Sequence, residues 1–451
     1  MATLEEPIEI GGVRIANRLY RAPVLECAGN GPDAVETLIE DLEPAAESGV
    51  GLLCQGATIV SAEGGCAAPG MTRVHDPSFV SRLSRLTDRI HDHGSRIFLQ
   101  LEHGGLRSME TWHAEYRRGH PDLEQLAVSE LPWQLRLFDR LGFLSYDPHV
   151  LSTDEVYDLA AEFGRSAAYA VDAGYDGIHL SGANMGIVQQ FLSPFYNRRD
   201  DEFGGSPEAR LEFLALVHDE IRDRAGDVPL MTKVPAETPS PPSPIVRRTL
   251  SLADGVEIAR RLERIGYDAV VPVRTSVVWD MSIVRGEYPE RAWTNEALRR
   301  EYDAAFGGSG RRKLVAFGNR LESVVYDTEP AWNESFCRRV REQVSIPVLA
   351  EGGIRERGEM DRLLGSGGDT TATAACDMVG MARPFYAEPR LGARLLEHNG
   401  SDAVESDERA LCESCNNCTV PQVTGAPGIC RTPSVLRERG ELEREGVYDR
   451  R

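Results

Sequence analysis

Lysine is almost absent from this 451-residue chain. Lys233 and Lys313 are the only two, and every other basic residue counted in the net charge is arginine. Positive charge is scarce altogether: 50 basic side chains against 71 acidic ones leave a net charge of -21, with a pI near 5.0. Such a surface repels phosphate backbones and anionic lipid, so neither nucleic acid nor a membrane is an expected partner. No apolar run approaches the ~20 residues of a membrane span. The opening residues, MATLEEPIEIGG, lack the apolar core of a signal peptide, and a cytoplasmic protein is expected. After the last cysteine there is no Gly-x-Gly-x-x-Gly fingerprint, so no nucleotide-binding unit is expected to follow.

What the chain does have is alternation. Short apolar runs at 19–24, 51–55, 96–101, 177–182, 229–234, 268–273, 347–350 and 377–381 read as strands. Helical patterns separate them, at about 33–48, 79–93, 152–173, 207–224, 253–265, 332–344, 356–364 and 389–397. Ser152-Thr153-Asp154-Glu155 matches a capping box at the start of one of these helices. Eight βα units mean a parallel sheet, and they favour a (β/α)8 TIM barrel over a doubly wound sheet. Two long excursions, 104–151 and 274–330, follow strands three and six and are expected over the mouth of the barrel. The run TPSPPSP, from Thr238 to Pro244, is expected to be loop. The expected division is a barrel over 1–400 and a C-terminal extension over 401–451.

Chemistry is expected at the C-terminal ends of the strands. Strand seven runs into Glu351-Gly352-Gly353 and strand eight into Gly380-Met381-Ala382-Arg383. Glycines admit backbone N–H groups to an anion and an arginine fork can close the cage, so a phosphate site is expected. The alternative is that these glycines only turn strand into helix. Gln100 and His103 end strand three, where an amide can both donate to and accept from a heteroaromatic edge. Lys233 lies on an apolar strand and needs an anionic partner, either a ligand or a structural carboxylate. Cys412, Cys415, Cys418 and Cys430 form a C-x2-C-x2-C-x11-C cluster. Without a secretory signal, such a cluster indicates metal. The spacing favours a 4Fe-4S cluster; structural zinc, with its two separated knuckles, is the alternative.

The segments ANRLYRAPV, GVGLLCQGATIV, FLQLEHGG, QFLSPFYNRRDDEFGGSPEAR, IPVLAEGGIR and MVGMARPFYAEP, together with the cysteine cluster, resemble the Old Yellow Enzyme family of FMN-dependent barrels. The similarity is to its iron–sulfur branch, which includes 2,4-dienoyl-CoA reductase and trimethylamine dehydrogenase. The resemblance implies that Ala22, Pro23, Val24 and Leu25 line FMN and that Gly56 or Ala57 passes under the ring. It implies that Gln100 bonds the pyrimidine edge and Lys233 stabilises the reduced flavin near N1. Gly352, Gly353, Gly380 and Arg383 would hold the phosphate, and the four clustered cysteines a 4Fe-4S cluster. NAD(P)H is the implied candidate electron donor.

The chain also departs from that pattern. The residue pair that holds the substrate oxygen in the family is here Ser181 and Asn184, the expected catalytic residues. The tyrosine that commonly donates a proton is replaced by Gly186, and glycine has no proton to give. Tyr196, Tyr288 and His113 are candidate replacements. Cys27 lies two residues past the position, here Leu25, at which amine dehydrogenases of the branch link to flavin, so non-covalent FMN is expected. The leading expectation is hydride transfer between flavin N5 and a small enoyl or enone substrate. An amine or N-methyl dehydrogenase is the alternative, with Trp112, Trp133 and Trp279 available for a cation cage. A non-catalytic electron-transfer subunit is a third reading, and a zinc-stapled barrel a fourth. A separate electron-transfer protein or subunit is an expected partner, and an oligomer is compatible with the sequence.

Overall fold

The computed structural model of the chain describes residues 2–62, 65–108, 125–141, 147–238, 248–278, 280–366, 373–396 and 408–449. The proline-rich run after Thr238, together with Trp112, His113 and Trp279, lies outside the described residues.

Eight strands form the barrel: β1 (Leu19–Arg21), β2 (Leu52–Ile59), β3 (Arg96–Glu102), β4 (Gly177–Leu180), β5 (Leu230–Thr238), β6 (Ala269–Ser276), β7 (Leu349–Ala350) and β8 (Met378–Met381). All pairings between them are parallel, and they run in sequence order from β1 to β6 and from β7 through β8 back to β1. The ring closes between β6 and β7, where Val270 bridges Val348 and its N–H donates to the Pro347 carbonyl at 3.1 Å. Closure removes the free edges of the eight-stranded sheet.

Alternation along the strands divides the core in two. Tyr20, Leu52, Phe98, Met231, Val271 and Leu349 fill the barrel interior. Their neighbours Leu19, Leu53, Leu99, Ile178, Val270 and Val348 face outward and pack under the helices. An antiparallel hairpin, Ile8–Ile10 with Val13–Ile15, precedes β1 in the chain as a separate two-stranded sheet and contributes Ile10 and Ile15 to the inner core.

Several elements differ from their sequence expectation. β1 stops at Arg21, because Pro23 has no N–H for a ladder. β2 continues to Ile59 through a register shift between Gln55 and Thr58, which sets Gly56 and Ala57 out of line at the site end of the strand. The stretch 79–93 breaks into a short helix, a 3-10 turn and the helix Ser84–Asp92. The helix expected from Pro207 starts at Glu212, after a 3-10 turn. The charged tail after the cysteines contains a helix, Pro433–Arg444. The second excursion holds helices Glu290–Trp293, Arg299–Ala305 and Ser309–Val325. Among the described residues no helix is long and apolar enough to cross a membrane.

Candidate functional site

One cavity sits at the C-terminal mouth of the barrel. It is lined by Ala22, Pro23, Val24 and Leu25 after β1, Ala57 from β2, Gln100 and Glu102 from β3, and Lys233 from β5. Asn184 after β4, Gly352 and Gly353 after β7, and Gly380 with Arg383 at β8 also line it. Gly56 and Ser181 are not among the lining residues. Gly56 lies behind the wall: a Cβ there would stand 2.1 Å from the Val24 carbonyl oxygen, so only glycine lets β2 pack against the segment after β1. Its N–H donates to Glu26, at 3.2 Å to each carboxylate oxygen. Glu26 in turn accepts from fully buried Arg21 at 3.0 Å, and burial pushes its carboxyl up to about 7 against the pull of that arginine.

The polar groups of the cavity are held from beneath. Gln100 Oε1 accepts from the Ala57 N–H at 3.3 Å, and Gln100 Nε2 lies 3.2 Å from His179 Nδ1. That His179 nitrogen also lies 3.3 Å from Cys54 Sγ. Lys233 Nζ donates to Glu351 Oε2 at 2.7 Å, while the Tyr20 hydroxyl donates to Oε1 at 2.8 Å. A structural carboxylate therefore does balance Lys233, and the pair still faces the cavity. His103 is buried away from the wall; its Nδ1 accepts from the Gly105 N–H at 3.0 Å, and burial lowers its pKa to about 4.

After β4 the backbone is strained. Asn184 and Met185 have φ of 66° and 62°, a conformation costing non-glycine residues about 1 kcal/mol or more each. Three side chains impose it. Arg107 Nη1 donates to the Asn184 carbonyl at 2.8 Å, the Met185 N–H donates to Gln189 Oε1 at 2.7 Å, and Gln190 Nε2 donates to the Met185 carbonyl. Ser181 is buried alongside the Glu102 carboxyl, and a Cβ at Gly186 would lie 3.3 Å from Glu102 Oε1.

The long motif 190–210 builds this floor and leaves the cavity wall to others. Ser193 Oγ and the Leu250 N–H donate to Glu237 Oε2, each at 2.9 Å, and Gln189 Nε2 donates to Glu237 Oε1 at 3.0 Å. Asn197 Nδ2 bridges the Phe191 and Phe203 carbonyls, and Arg199 forks onto Asp201.

Gly352 and Gly353 have φ of 106° and 74°, and Cβ atoms there would meet the Trp332 ring within 3 Å. Arg383 Nη2 donates to the Arg285 carbonyl at 2.9 Å and Nη1 to Asn416 Oδ1. Arg383 also walls a second, smaller cavity, lined by Cys412, Cys415, Cys418 and Cys430. The two cavities share Arg383, Tyr386, Cys412, Ser414 and Asn416. Among the described residues no three His, Cys, Asp or Glu side chains converge closely enough for one metal ion. The four thiols nevertheless face one space, and burial raises the pKa of Cys418 to about 12. Gln422, beyond the first three of these cysteines, also braces the segment after β1: its Nε2 donates to the Leu25 carbonyl, as does Tyr386 Oη from the helix after β8.

Two candidate proton donors are placed elsewhere. The Tyr196 hydroxyl is spent on the Val277 carbonyl, and Tyr288 lies under Arg320 beside the 290–306 helices. Trp133 is half exposed on a short helix. Cys27 does not line the cavity, and burial raises its thiol to about 12. Sequence reading assigned no role to Glu102, Arg107, Glu351 or Trp332. Glu102 was within its reach, since it stands two residues from Gln100 and so on the same strand face.

The profile of the NADH:flavin oxidoreductase / NADH oxidase family matches residues 3–243. A cinnamate reductase of Clostridium sporogenes is 30% identical over 91% of this chain and 54% of its own length. An N,N-dimethylglycine/sarcosine dehydrogenase of Chromohalobacter salexigens is 25% identical over 95% and 52% respectively. The chain thus spans about half the length of these curated relatives. Histamine dehydrogenase from Rhizobium sp. 4-9 shares the fold, with a TM-score of 0.69 at 22% identity over 96% of this chain and 53% of that one.

Proposed function

Because the chain belongs to the NADH:flavin oxidoreductase / NADH oxidase family, we propose that it is an FMN-dependent oxidoreductase acting on a small activated alkene of enone or enoyl type. One observation carries the reading: an amide, a cation, a glycine pair and an arginine stand around a single cavity at the strand ends. The residues suit FMN. Gln100 offers an amide to the pyrimidine edge, and Lys233 offers a positive charge whose resting partner is Glu351. The Gly352–Gly353 turn and Arg383 suit the phosphate, while Ala22 to Leu25 give an apolar ledge for the ring. When bound, the flavin supplies hydride transfer, with NAD(P)H as candidate donor. The chain's own part is to hold the substrate oxygen with Asn184, whose backbone is clamped by Arg107, Gln189 and Gln190, with buried Ser181 behind it. In this reading residues 1–400 are the flavin barrel and 401–451 the cluster extension.

The cysteine cavity supports a 4Fe-4S cluster. All four cysteines line that one space, and their C-x2-C-x2-C-x11-C spacing suits a cluster better than the two separated knuckles of structural zinc. A cluster next to the flavin cavity would pass single electrons to or from a separate carrier protein or subunit.

An amine or N-methyl dehydrogenase is the second reading, favoured by Gly186, since oxidation of an amine needs no proton donor there. Anaerobic assays with enones, enoyl thioesters and methylated amines separate the two. Turnover of alkenes is expected; turnover of amines alone would overturn the first reading.

A further inference from the structure

The unused group in this site is Glu102. It is the last residue of β3, two positions beyond Gln100, so its side chain leaves the strand on the same face and enters the same cavity. It is 3% exposed. Buried carboxylates are normally paired or hydrogen-bonded, yet Glu102 Oε1 has no hydrogen-bond partner of ordinary geometry among the described residues. The groups that face it are few. Arg107 Nη1, in the turn after β3, stands 3.7 Å away and is already committed to the Asn184 carbonyl. Ser181, after β4, lies alongside, and Lys233, on β5, acts on it from across the cavity while bonded to Glu351. The fourth neighbour is Gly186, where a side chain would begin 3.3 Å from Oε1 and cover it. The missing side chain at 186 and the unpartnered, buried carboxyl oxygen thus adjoin each other.

We propose that Glu102 is the acid of this site, delivering a proton to the substrate carbon from the position that Gly186 leaves open. The proposal rests on the alkene-reduction reading above. An activated C=C bond takes up one hydride and one proton. The hydride's electron pair, drawn from the reduced flavin, forms the C–H bond at the β carbon. The π electrons then take the Glu102 proton at the carbon next to the carbonyl. The flavin is left oxidised, and the Glu102 carboxylate recovers a proton from water. Burial supports this role, because it raises the Glu102 pKa despite the charges of Arg107 and Lys233. The acid form is needed, so the rate should fall as pH rises through that pKa.

The test uses the purified holoprotein, reduced anaerobically and then mixed with 2-cyclohexen-1-one or with ferricyanide. Ferricyanide takes electrons and protonates no carbon. In Glu102→Gln, re-oxidation by the enone should slow by about 100-fold or more, with ferricyanide re-oxidation and the visible flavin spectrum unchanged. Glu102→Asp should keep part of the enone rate and its pH dependence, and Glu102→Gln should lose that dependence. Infrared difference spectra on raising the pH should show loss of protonated-carboxyl absorption in the parent protein, and Glu102→Gln should lack the part due to Glu102 while keeping the contributions of Glu26 and Glu237. An unchanged enone rate in Glu102→Gln overturns the proposal, as does an equal fall with both acceptors. A parent protein re-oxidised by ferricyanide and by no enone overturns the alkene reading and this proposal together.

Discussion

Lys233 shows how one residue serves two purposes. Its ammonium is inside the barrel mouth, where an unpaired charge would cost several kcal/mol. Glu351 removes that cost, and the Tyr20 hydroxyl satisfies the second carboxylate oxygen. Lys233→Met strands Glu351, so it should destabilise the protein by about 3 kcal/mol and loosen FMN; urea unfolding and flavin retention on a desalting column measure the two effects. Glu237 supplies a pH prediction. Burial raises its carboxyl from 4.5 to about 7, even with Gln189, Ser193 and Leu250 donating to it. The folded form thus holds a proton that the unfolded chain releases. The stabilisation is complete below about pH 4.5 and lost as pH rises through about 7, on the order of 3 kcal/mol. Denaturant midpoints between pH 5 and 8 should show that decline, and Glu237→Gln should flatten it. A residue type on an apolar strand is readable in a sequence, which is why Lys233 was marked. Its partner, 118 positions away, is not readable there.

At the scale of elements, local signals were dependable where the chain makes its own hydrogen bonds. Ser152 caps the helix Thr153–Asp172: its side chain accepts from the Glu155 N–H, and Glu155 returns a bond to the Ser152 N–H at 2.7 Å. Ser152→Ala should cost about 1 kcal/mol, visible as a lower thermal midpoint with the site intact. Strand ends were less legible. β5 and β6 run on to Thr238 and Ser276 because each pairs with the other over eight positions, a support that apolar patterning does not display. The motif 190–210 was legible as a motif, and its work is carpentry. Gln190 holds the Met185 carbonyl in the strained turn after β4, while Ser193 and Asn197 anchor their own segment to Glu237 and to the Phe191 carbonyl.

At the scale of the molecule, residues beyond 408 help line the cavity at the barrel mouth, among them Cys412, Ser414 and Gln422. Tyr386 and Gln422 fasten the Leu25 carbonyl, and Gly428 fits only because it lacks a Cβ, which would lie 2.0 Å from the Tyr386 hydroxyl. Purified anaerobically, the protein should contain iron and acid-labile sulfide in equal amounts. Cys415→Ser and Cys430→Ser should lose both; zinc without sulfide would establish the single-ion alternative.

The sequence by itself determined the eight-unit alternation, the cysteine spacing and some of the residues that line the cavity, among them Gln100, Lys233 and Arg383. Those features are local, or recur at a fixed distance along the chain. Only the tertiary structure decided that Ser181 stands behind the wall, that Gly56 is a spacer, that Glu351 balances Lys233, and that the two cavities share Arg383. It alone set the Glu102 carboxyl beside the empty position at Gly186. The reason is closure: a barrel brings the ends of eight strands into one ring, and which side chains meet there depends on register and tilt, to which residue order contributes only in sum.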